Sequence, residues 1–457
     1  MSAKRSEGIG PSAVGGSDAN QGACDGIPVM DPGLILDRSD PAFLATAYDS
    51  YAQLRAKGPV VRTRHCPNLK DEDGAAGERS VRDVLFVGQY DAATEALVDP
   101  RLSSDPFVLL SAAARERLPP IPAEVRPIVE SIIMRDPPDH TRLRKLVQPS
   151  FSPRAMDALK PRIQRIADDL IDRIEREAAE RGDVTPDRQI DLVSAFAYPL
   201  PVTVISDMLG IPEADRETVN KWSELRFDSR DPEAQEKTRQ TIAVFCRYLE
   251  ELFERKRREP GDDMISQMVH AQEDGDRLSH DELLSMTFIL YLAGHVTTVN
   301  FIGNGVVALL SHPDQLAAFR ADPSLVKGVV EETLRYWAPI DYFGAVRTAT
   351  DGFDLAGVQI PKGAQVTVGL ASANHDPQRF ANPDQYNISR DDAHRHVAFG
   401  KGIHLCLGAP LARIEGQIAF ETLFRRFPHL RLAVPQENLR WTGAAGMRGF
   451  QAIPLLF

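Results

Sequence analysis

Cysteine is scarce: the 457 residues hold four, Cys24, Cys66, Cys246 and Cys406. Their wide, irregular spacing gives no disulfide framework and no zinc signature, and scattered thiols cannot hold a ferredoxin-type cluster. Cys24 lies in a polar tail, so a reducing compartment is the simpler assumption. No Gly-x-Gly-x-x-Gly fingerprint is present, so the sequence offers no dinucleotide-binding unit of its own. No apolar stretch is expected to span a bilayer, and Met1–Gly26 lacks the apolar core of a signal peptide. Positive charge is in the minority. The formal net charge of −12 argues against nucleic acid as a partner, because phosphate binding needs a basic surface. No internal repeat is visible.

What the chain does hold is 43% hydrophobic residues, ample for one large core. Residues 1–27 are rich in Gly, Ser and Ala without periodicity and read as a disordered tail; the folded unit is drawn from 31 to 457, with 1–30 left outside it. Pro59–His65 and Ser80–Val87 read as paired strands around the polar loop Pro67–Arg79, and Tyr90–Leu97 as a short helix. Arg101–Pro122 mixes Phe107, Leu109 and Leu110 with several prolines, which suits a loop over a pocket. Helical patterns occupy Met156–Arg181, Gln189–Leu209, Ala214–Phe227 and Pro232–Arg258. Asp139 reads as the N-cap of a helix that carries His140 and Arg144 on one face. Ser279 and Glu282 form a capping box before an apolar pattern that runs to Ser311, about 48 Å of helix at about 1.5 Å per residue. That helix is apolar on most sides, as a helix through a core is. Gly294 in its middle costs about 1 kcal/mol relative to Ala, so it calls for either a close ligand or tight helix packing.

The most informative stretch is Phe399-Gly400-Lys401-Gly402-Ile403-His404-Leu405-Cys406-Leu407-Gly408-Ala409-Pro410-Leu411-Ala412-Arg413. Glycines on both sides of Cys406 let the backbone fold tightly and bring its amides close to a sulfur or a flat cofactor. Pro410 suits a first helical turn, and Leu411, Ile414, Ala419 and Phe420 form an apolar stripe behind it. Cys406 therefore precedes a helix N-terminus, whose positive end favours a thiolate. A thiolate can ligate haem iron axially, although a lone cysteine is otherwise a small buried hydrophobe. The pattern Phe-Gly-x-Gly-x-His-x-Cys-x-Gly, with the later Leu-Ala-Arg, resembles the haem-binding loop of the cytochrome P-450 family at every defining position. The resemblance runs from about Leu34 to the C-terminus. It implies a mainly α fold with small β-sheets, a single large helical domain and haem b as cofactor. It also implies that Cys406 is the iron ligand, that His404 meets a haem propionate, and that Phe399, Gly400 and Gly408, with Ala293 on the long helix, surround the haem.

Other segments match the same family. By themselves His140 and Arg144 read as a solvated polar face; the family's His-x-x-x-Arg contacts the propionates here, and Arg347 matches another propionate-binding residue. Glu332 and Arg335 alone would be an exposed ion pair of small value; the family's Glu-x-x-Arg makes them, with Arg390, a structural network. His375 stands where Arg is usual, in Asn374-His375-Asp376-Pro377. The resemblance places a mobile lid around Leu209–Arg230 and runs Pro339–Val346 along the pocket. Candidate pocket residues are then Phe107, Arg226, Asn300, Ile340, Asp341, Tyr342, Phe343 and, in the hairpin tip Gly443–Met447, Met447.

Ala293-Gly294-His295-Val296-Thr297-Thr298 matches the family's oxygen-site motif, with Thr297 as the residue that steers protons. A mid-helix Thr otherwise just bonds back to the carbonyl four residues earlier. Val296 departs from the motif: Asp or Glu is usual there, and valine relays no proton. Water and Thr297 then carry the protons, or a substrate hydroxyl or carboxylate does, or the enzyme uses hydrogen peroxide or runs another oxidative reaction. His295 reads as a core or surface histidine rather than a second iron ligand.

The resemblance thus implies a cytoplasmic, bacterial-type monooxygenase with neither membrane nor nucleic-acid partner. It would insert one oxygen atom from O2 into a small or medium organic molecule, by hydroxylation or epoxidation. Electrons must come from a separate ferredoxin or flavodoxin with an NAD(P)H-dependent reductase. Arg142, Arg144, Lys145, Lys401 and Arg413 would form a basic patch that steers such a partner. The rival readings are a peroxide-driven haem-thiolate enzyme and a haem protein that binds a ligand without turnover.

Overall fold

The computed structural model describes residues 27–457 apart from 30–34, 38–39, 66–81, 123, 183–187, 224–231, 271–276, 343–345 and 444–445. Residues 1–26 of the N-terminal tail, Cys24 among them, and Cys66, Arg226 and Phe343 lie outside the described residues.

One mixed sheet anchors one side of the fold. Its strands are β1 (Ile35–Leu36), β2 (Val60–His65), β3 (Arg82–Val87), β4 (Leu102–Ser103), β5 (Arg347–Ala349) and β6 (Gln365–Val368), in the spatial order β1-β2-β3-β6-β5-β4. β2 and β3 pair antiparallel, Val60 opposite Val87, while β3 and β6 run parallel with Leu85 opposite Val366. Val84, Leu85, Phe86 and Val87 are all buried, so β3 is covered on both faces and reads as an unbroken apolar run. Phe86 packs with Tyr51 and Leu54 of α1 (Pro41–Lys57). Leu85 and Val87 pack on the other face with Ala92, Ala93 and Ala96 of α2 (Tyr90–Val98).

Most of the rest is helical, with three small sheets of two or three strands beside it; the helices used below are α3 (Asp139–Val147), α4 (Pro153–Glu180), α5 (Pro199–Leu209), α6 (Glu213–Ser223), α7 (Pro232–Arg258), α8 (His280–Ser311), α9 (Val326–Tyr336) and α10 (Ala409–Arg426). α8 is the axle. Its capping box is formed: the Ser279 hydroxyl accepts from the Glu282 amide at 3.2 Å, and the Glu282 carboxylate accepts from the Ser279 amide at 2.8 Å. Glycines let neighbouring helices approach it closely. A Cβ at Gly294 would come within 3.0 Å of Ile205 on α5, and one at Gly305 would overlap the Phe420 ring of α10. Helix packing is thus a sufficient reason for Gly294.

Three expectations are corrected. By length and composition α8 is apolar enough to cross a membrane, yet the fold buries 56% of its most apolar window, as it does for a core helix. Gln189–Leu209 is not one helix. Gln189–Asp191 is a strand, with Ile190 opposite Leu455, and the backbone passes through a π-helical turn at Val193–Ala197 before α5. Asp191 causes the break: its carboxylate accepts from the amides of Val193, Ser194 and Ile453 at 3.3, 3.2 and 2.7 Å, and Pro199 starts the next helix. Asp139 is the first residue of α3 rather than its cap, which is Pro138; its charge still suits the first turn. α6 starts at Glu213 and is described to Ser223.

Candidate functional site

The Cys406 loop takes its shape from two left-handed glycines, Gly400 (φ 69) and Gly402 (φ 73). A side chain at Gly402 would also press within 3.0 Å of the Leu97 carbonyl. The reversed chain lets the Cys406 amide donate to the Phe399 carbonyl at 2.9 Å, just before α10 begins at Ala409. The thiol is accessible although protein surrounds it, so it lines a recess rather than the outer surface. Burial pushes the thiol pKa up; the Gly408 and Ala409 amides, with Arg144 and Arg413, pull it back. The net direction is opposite to that expected from the helix N-terminus alone, because desolvation of the thiolate outweighs the dipole.

Beside this loop the rings of His140 and His404 meet edge-on, their centroids 4.4 Å apart. His404 is lowered to about 4 by burial and by the positive charges of His140, Arg347 and Arg144. Burial and then Arg144 lower His140 as well. Arg144 donates to the Ile403 carbonyl at 3.0 Å, and buried Arg347 donates to the carbonyls of Ala96 and Leu97 at 3.3 and 3.2 Å. Far from being a solvated face, His140 is 2% exposed. Its Nδ1 is buried without a hydrogen-bond partner among the described residues. The sequence reading missed Asp136 here, whose carboxylate accepts from Ser103 Oγ and from the Ser104 amide, while Ser104 Oγ lies 3.3 Å from His404 Nε2.

Midway along α8, Ala293 is exposed between half-buried Leu292 and Gly294, and Thr297 one turn on is half-buried. Thr297 Oγ1 donates to the Ala293 carbonyl at 3.0 Å, and Thr298 Oγ1 reaches the Gly294 carbonyl at 3.4 Å. His295 is fully buried, its ring near Tyr291 and Tyr198, and burial lowers its pKa to about 4. It is a neutral core residue with its Nδ1 2.7 Å from the Tyr291 carbonyl. Glu415 on α10 was also missed. It is 1% exposed, and among the described residues neither carboxyl oxygen has a hydrogen bond of good geometry. Burial pushes its pKa up to about 8, against a smaller pull from the Thr298 hydroxyl. Its spacing of four from Leu411, within the apolar stripe, was the available signal.

A fitting surface for haem follows from these features. Cys406 and Ala293 are uncovered inside the fold, a Cβ on Gly408 would meet nothing, and the orphaned His140 Nδ1 stands among cations suited to two carboxylates.

Away from the recess, Arg335 donates to Glu332 at 2.7 and 2.8 Å, and Arg390 lies 3.2 Å from the same carboxylate. Glu332 and Arg335 have no exposed surface, so the pair is not the exposed ion pair its spacing alone implies. The His375 ring bridges Asp384 (2.9 Å) and the Tyr336 carbonyl (2.8 Å). Two pocket candidates face elsewhere. Asp341 accepts from the Tyr51 hydroxyl at 2.9 Å and lies 3.7 Å from Arg448; Tyr342 is buried beside Tyr51 and Phe86. Asn300 abuts Gly449, Ile340 pairs with Met447 across an isolated bridge, and Phe107 is half-buried. The expected basic patch is partly neutralised, because Arg142 pairs with Glu282 and Arg413 with Glu331. Lys401 stays exposed among the exposed apolar residues Val98, Ile403 and Leu405.

A family model described as Cytochrome P450 matches residues 82–444. The chain is 42% identical over 421 residues to Cytochrome P450 107B1 of Saccharopolyspora erythraea, covering 91% of this chain and 96% of that one. It is 41% identical over 436 residues to Cytochrome P450 monooxygenase PikC of Streptomyces venezuelae, covering 95% and 96%. Among solved structures it resembles the bacillaene polyketide synthase cytochrome P450 PksS of Bacillus subtilis, with a TM-score of 0.79 at 34% identity, over 92% of this chain and 99% of that one.

Proposed function

The chain belongs to the cytochrome P450 family, and from that premise we propose that its substrate is a medium-sized organic molecule of bacterial secondary metabolism, polyketides being the first class to test. It is a haem-dependent monooxygenase; haem b, held through a thiolate, supplies the iron at which O2 is activated. The polyketide proposal draws on the relative PksS, whose own description ties it to a polyketide synthase. The observation that carries the site assignment is the accessible Cys406 in its glycine-shaped recess beside the orphaned His140 Nδ1.

In this reading Cys406 holds the iron, and His140, Arg144, Arg347 and His404 hold the two carboxylates of the haem. Phe399, Gly400, Gly408 and Ala293 line its surfaces. The close approach of Gly294 to Ile205 sets the level at which Ala293 and Thr297 face the cavity. The Thr297 hydroxyl both donates and accepts, so it can order a water that moves protons, while Val296 contributes only apolar surface. Ile340, Met447, Asn300 and Phe107 are the pocket residues retained. A separate ferredoxin in the cytoplasm delivers the electrons, docking near Lys401. The domain is one unit from about residue 31 to the C-terminus.

Val296 favours one second reading, oxidation driven by hydrogen peroxide. The test is product formation from a panel of polyketides that shift the ferric absorption spectrum. Product with NAD(P)H, ferredoxin reductase and ferredoxin, and none with peroxide, is the expected result. Product with peroxide alone would replace the proposal by its rival.

A further inference from the structure

We propose that the buried pair Asp341–Arg448 is the register clamp of the substrate pocket: it fixes Ile340 opposite Met447 on the cavity side, and so sets which substrates the enzyme accepts and how they lie. The proposal rests on the pocket assignment above. Asp341 and Arg448 are positioning residues that touch no substrate.

Backbone geometry comes first. Ile340 and Met447 face one another across an antiparallel bridge. The Asp341 amide donates to the Gly446 carbonyl at 3.2 Å, and the Arg448 amide to the Pro339 carbonyl at 2.8 Å. That pattern makes Ile340 and Met447 a non-hydrogen-bonded pair, the kind whose side chains lie closest. Successive residues then point to opposite faces. Ile340 and Met447 are half-buried, whereas Asp341 and Arg448 are 1% and 2% exposed and turn toward α1.

The second observation is what meets at the charged pair. Asp341 accepts from Tyr51 of α1 at 2.9 Å. The Arg448 guanidinium stands 3.7 Å from Asp341, donates to the Leu44 carbonyl of α1 at 2.9 Å, and lies 4.0 Å over the Trp441 ring. Trp441 pairs with Phe450 across the hairpin, their rings stacked at 3.9 Å. Asn304 of α8 donates to the carbonyls of Arg448 and Trp337 at 3.2 and 3.0 Å. The hairpin, α1, α8 and the segment after α9 thus converge on these two residues.

The third is a comparison of registers. A slip of one residue would turn each side chain of the slipped strand to the other face. Ile340 and Met447 are apolar and suit burial under α1 as well as the cavity, so hydrophobicity alone does not choose between registers. Charge does. A slipped strand would leave a carboxylate or a guanidinium buried without its counter-charge. A buried ion pair adds little net stability over apolar residues of the same volume, and its best-attested use is to fix register.

Cross-linking reads the register without substrate or turnover. A non-hydrogen-bonded pair brings Cβ atoms within disulfide range, so the holoenzyme carrying I340C/M447C should form a disulfide between positions 340 and 447 on mild oxidation, read by mass spectrometry. D341N keeps the volume and removes the charge; added to that background it should cut the cross-link yield several-fold. Equal yield, or no cross-link in either protein, overturns the clamp. In haem-loaded D341N with unchanged haem content, the ratio of Kd values for two ligands of different shape should move about tenfold, read by absorption titration. An unchanged ratio also overturns the proposal. D341L/R448M/Y51F replaces the cluster with apolar side chains and strands no phenol, which keeps the test open if D341N folds poorly. It should regain the wild-type urea midpoint yet keep the altered Kd ratio; regaining both would reduce the pair to packing and overturn the clamp. Wild-type protein that binds no ligand of the panel would instead overturn the pocket assignment, and the cross-link yield would still decide the clamp.

Discussion

Two carboxyl groups, buried Glu415 and half-buried Glu331, respond to pH in opposite directions. Glu415 has its folded pKa raised to about 8. The stability it contributes is complete below its ordinary value of about 4.5 and is lost as pH rises toward 8, since the folded chain holds the proton longer than the unfolded one. E415Q carries no such loss, so its stability advantage over wild type should be larger near pH 8 than near pH 5 in urea denaturation. Equal differences at both pH values would contradict the buried acid. Glu331 is held down to about 2: burial raises it, but His396 and Arg413 outweigh burial through hydrogen bonds and charge. Its contribution is present above about 4.5 and lost as pH falls toward 2. E331Q should therefore be less stable than wild type at neutral pH, and should narrow that gap on acidification. The shift corresponds to about 3 kcal/mol at neutral pH, checked by chemical denaturation at several pH values.

At the scale of elements, α8 and α9 carry the consequences. The Ser279–Glu282 box satisfies amides at the head of α8, so S279A should cost about 1 kcal/mol in thermal or urea unfolding. E282A should cost more than S279A, because Glu282 also pairs with Arg142 of α3 and so ties two elements together. The network on α9 is larger. Arg335 donates to Glu332 and to the carbonyls of Asn374, Pro383 and Gln385, clamping the chain that leads to the Cys406 loop. R335A leaves Glu332 charged, buried and without its main partner, and should destabilise by about 3–5 kcal/mol, with loss of bound haem on gel filtration. Full haem retention at wild-type stability would show that Arg390 alone satisfies Glu332.

Across the whole molecule, the charge balance bears on the electron partner. In the proposed pairing with an acidic ferredoxin, the chain's net charge of −12 is repulsive, so local positive charge beside the Cys406 loop would have to set the encounter. With Arg142 and Arg413 already paired, the proposal puts more of that task on the exposed Lys401 than the sequence pattern implied. K401E should slow reduction by ferredoxin several-fold at low ionic strength and flatten its salt dependence, with substrate affinity unchanged; stopped-flow reduction traces decide it. The sequence alone determined the local devices. The Cys406 loop, the capping box of α8, the strand pair β2–β3 and the Glu332–Arg335 pair each depend on residues close together in the chain, where spacing and glycine placement dictate geometry. Tertiary structure decided what depends on distant neighbours. It assigned Gly294 to packing against Ile205, turned Asp341 and Tyr342 toward α1, broke Gln189–Leu209 at Asp191 and reversed the expected pKa direction of Cys406. It also enclosed Glu415 beside Thr298. Burial and partner choice are sums over contacts between elements remote in sequence, and no spacing rule within one segment encodes them.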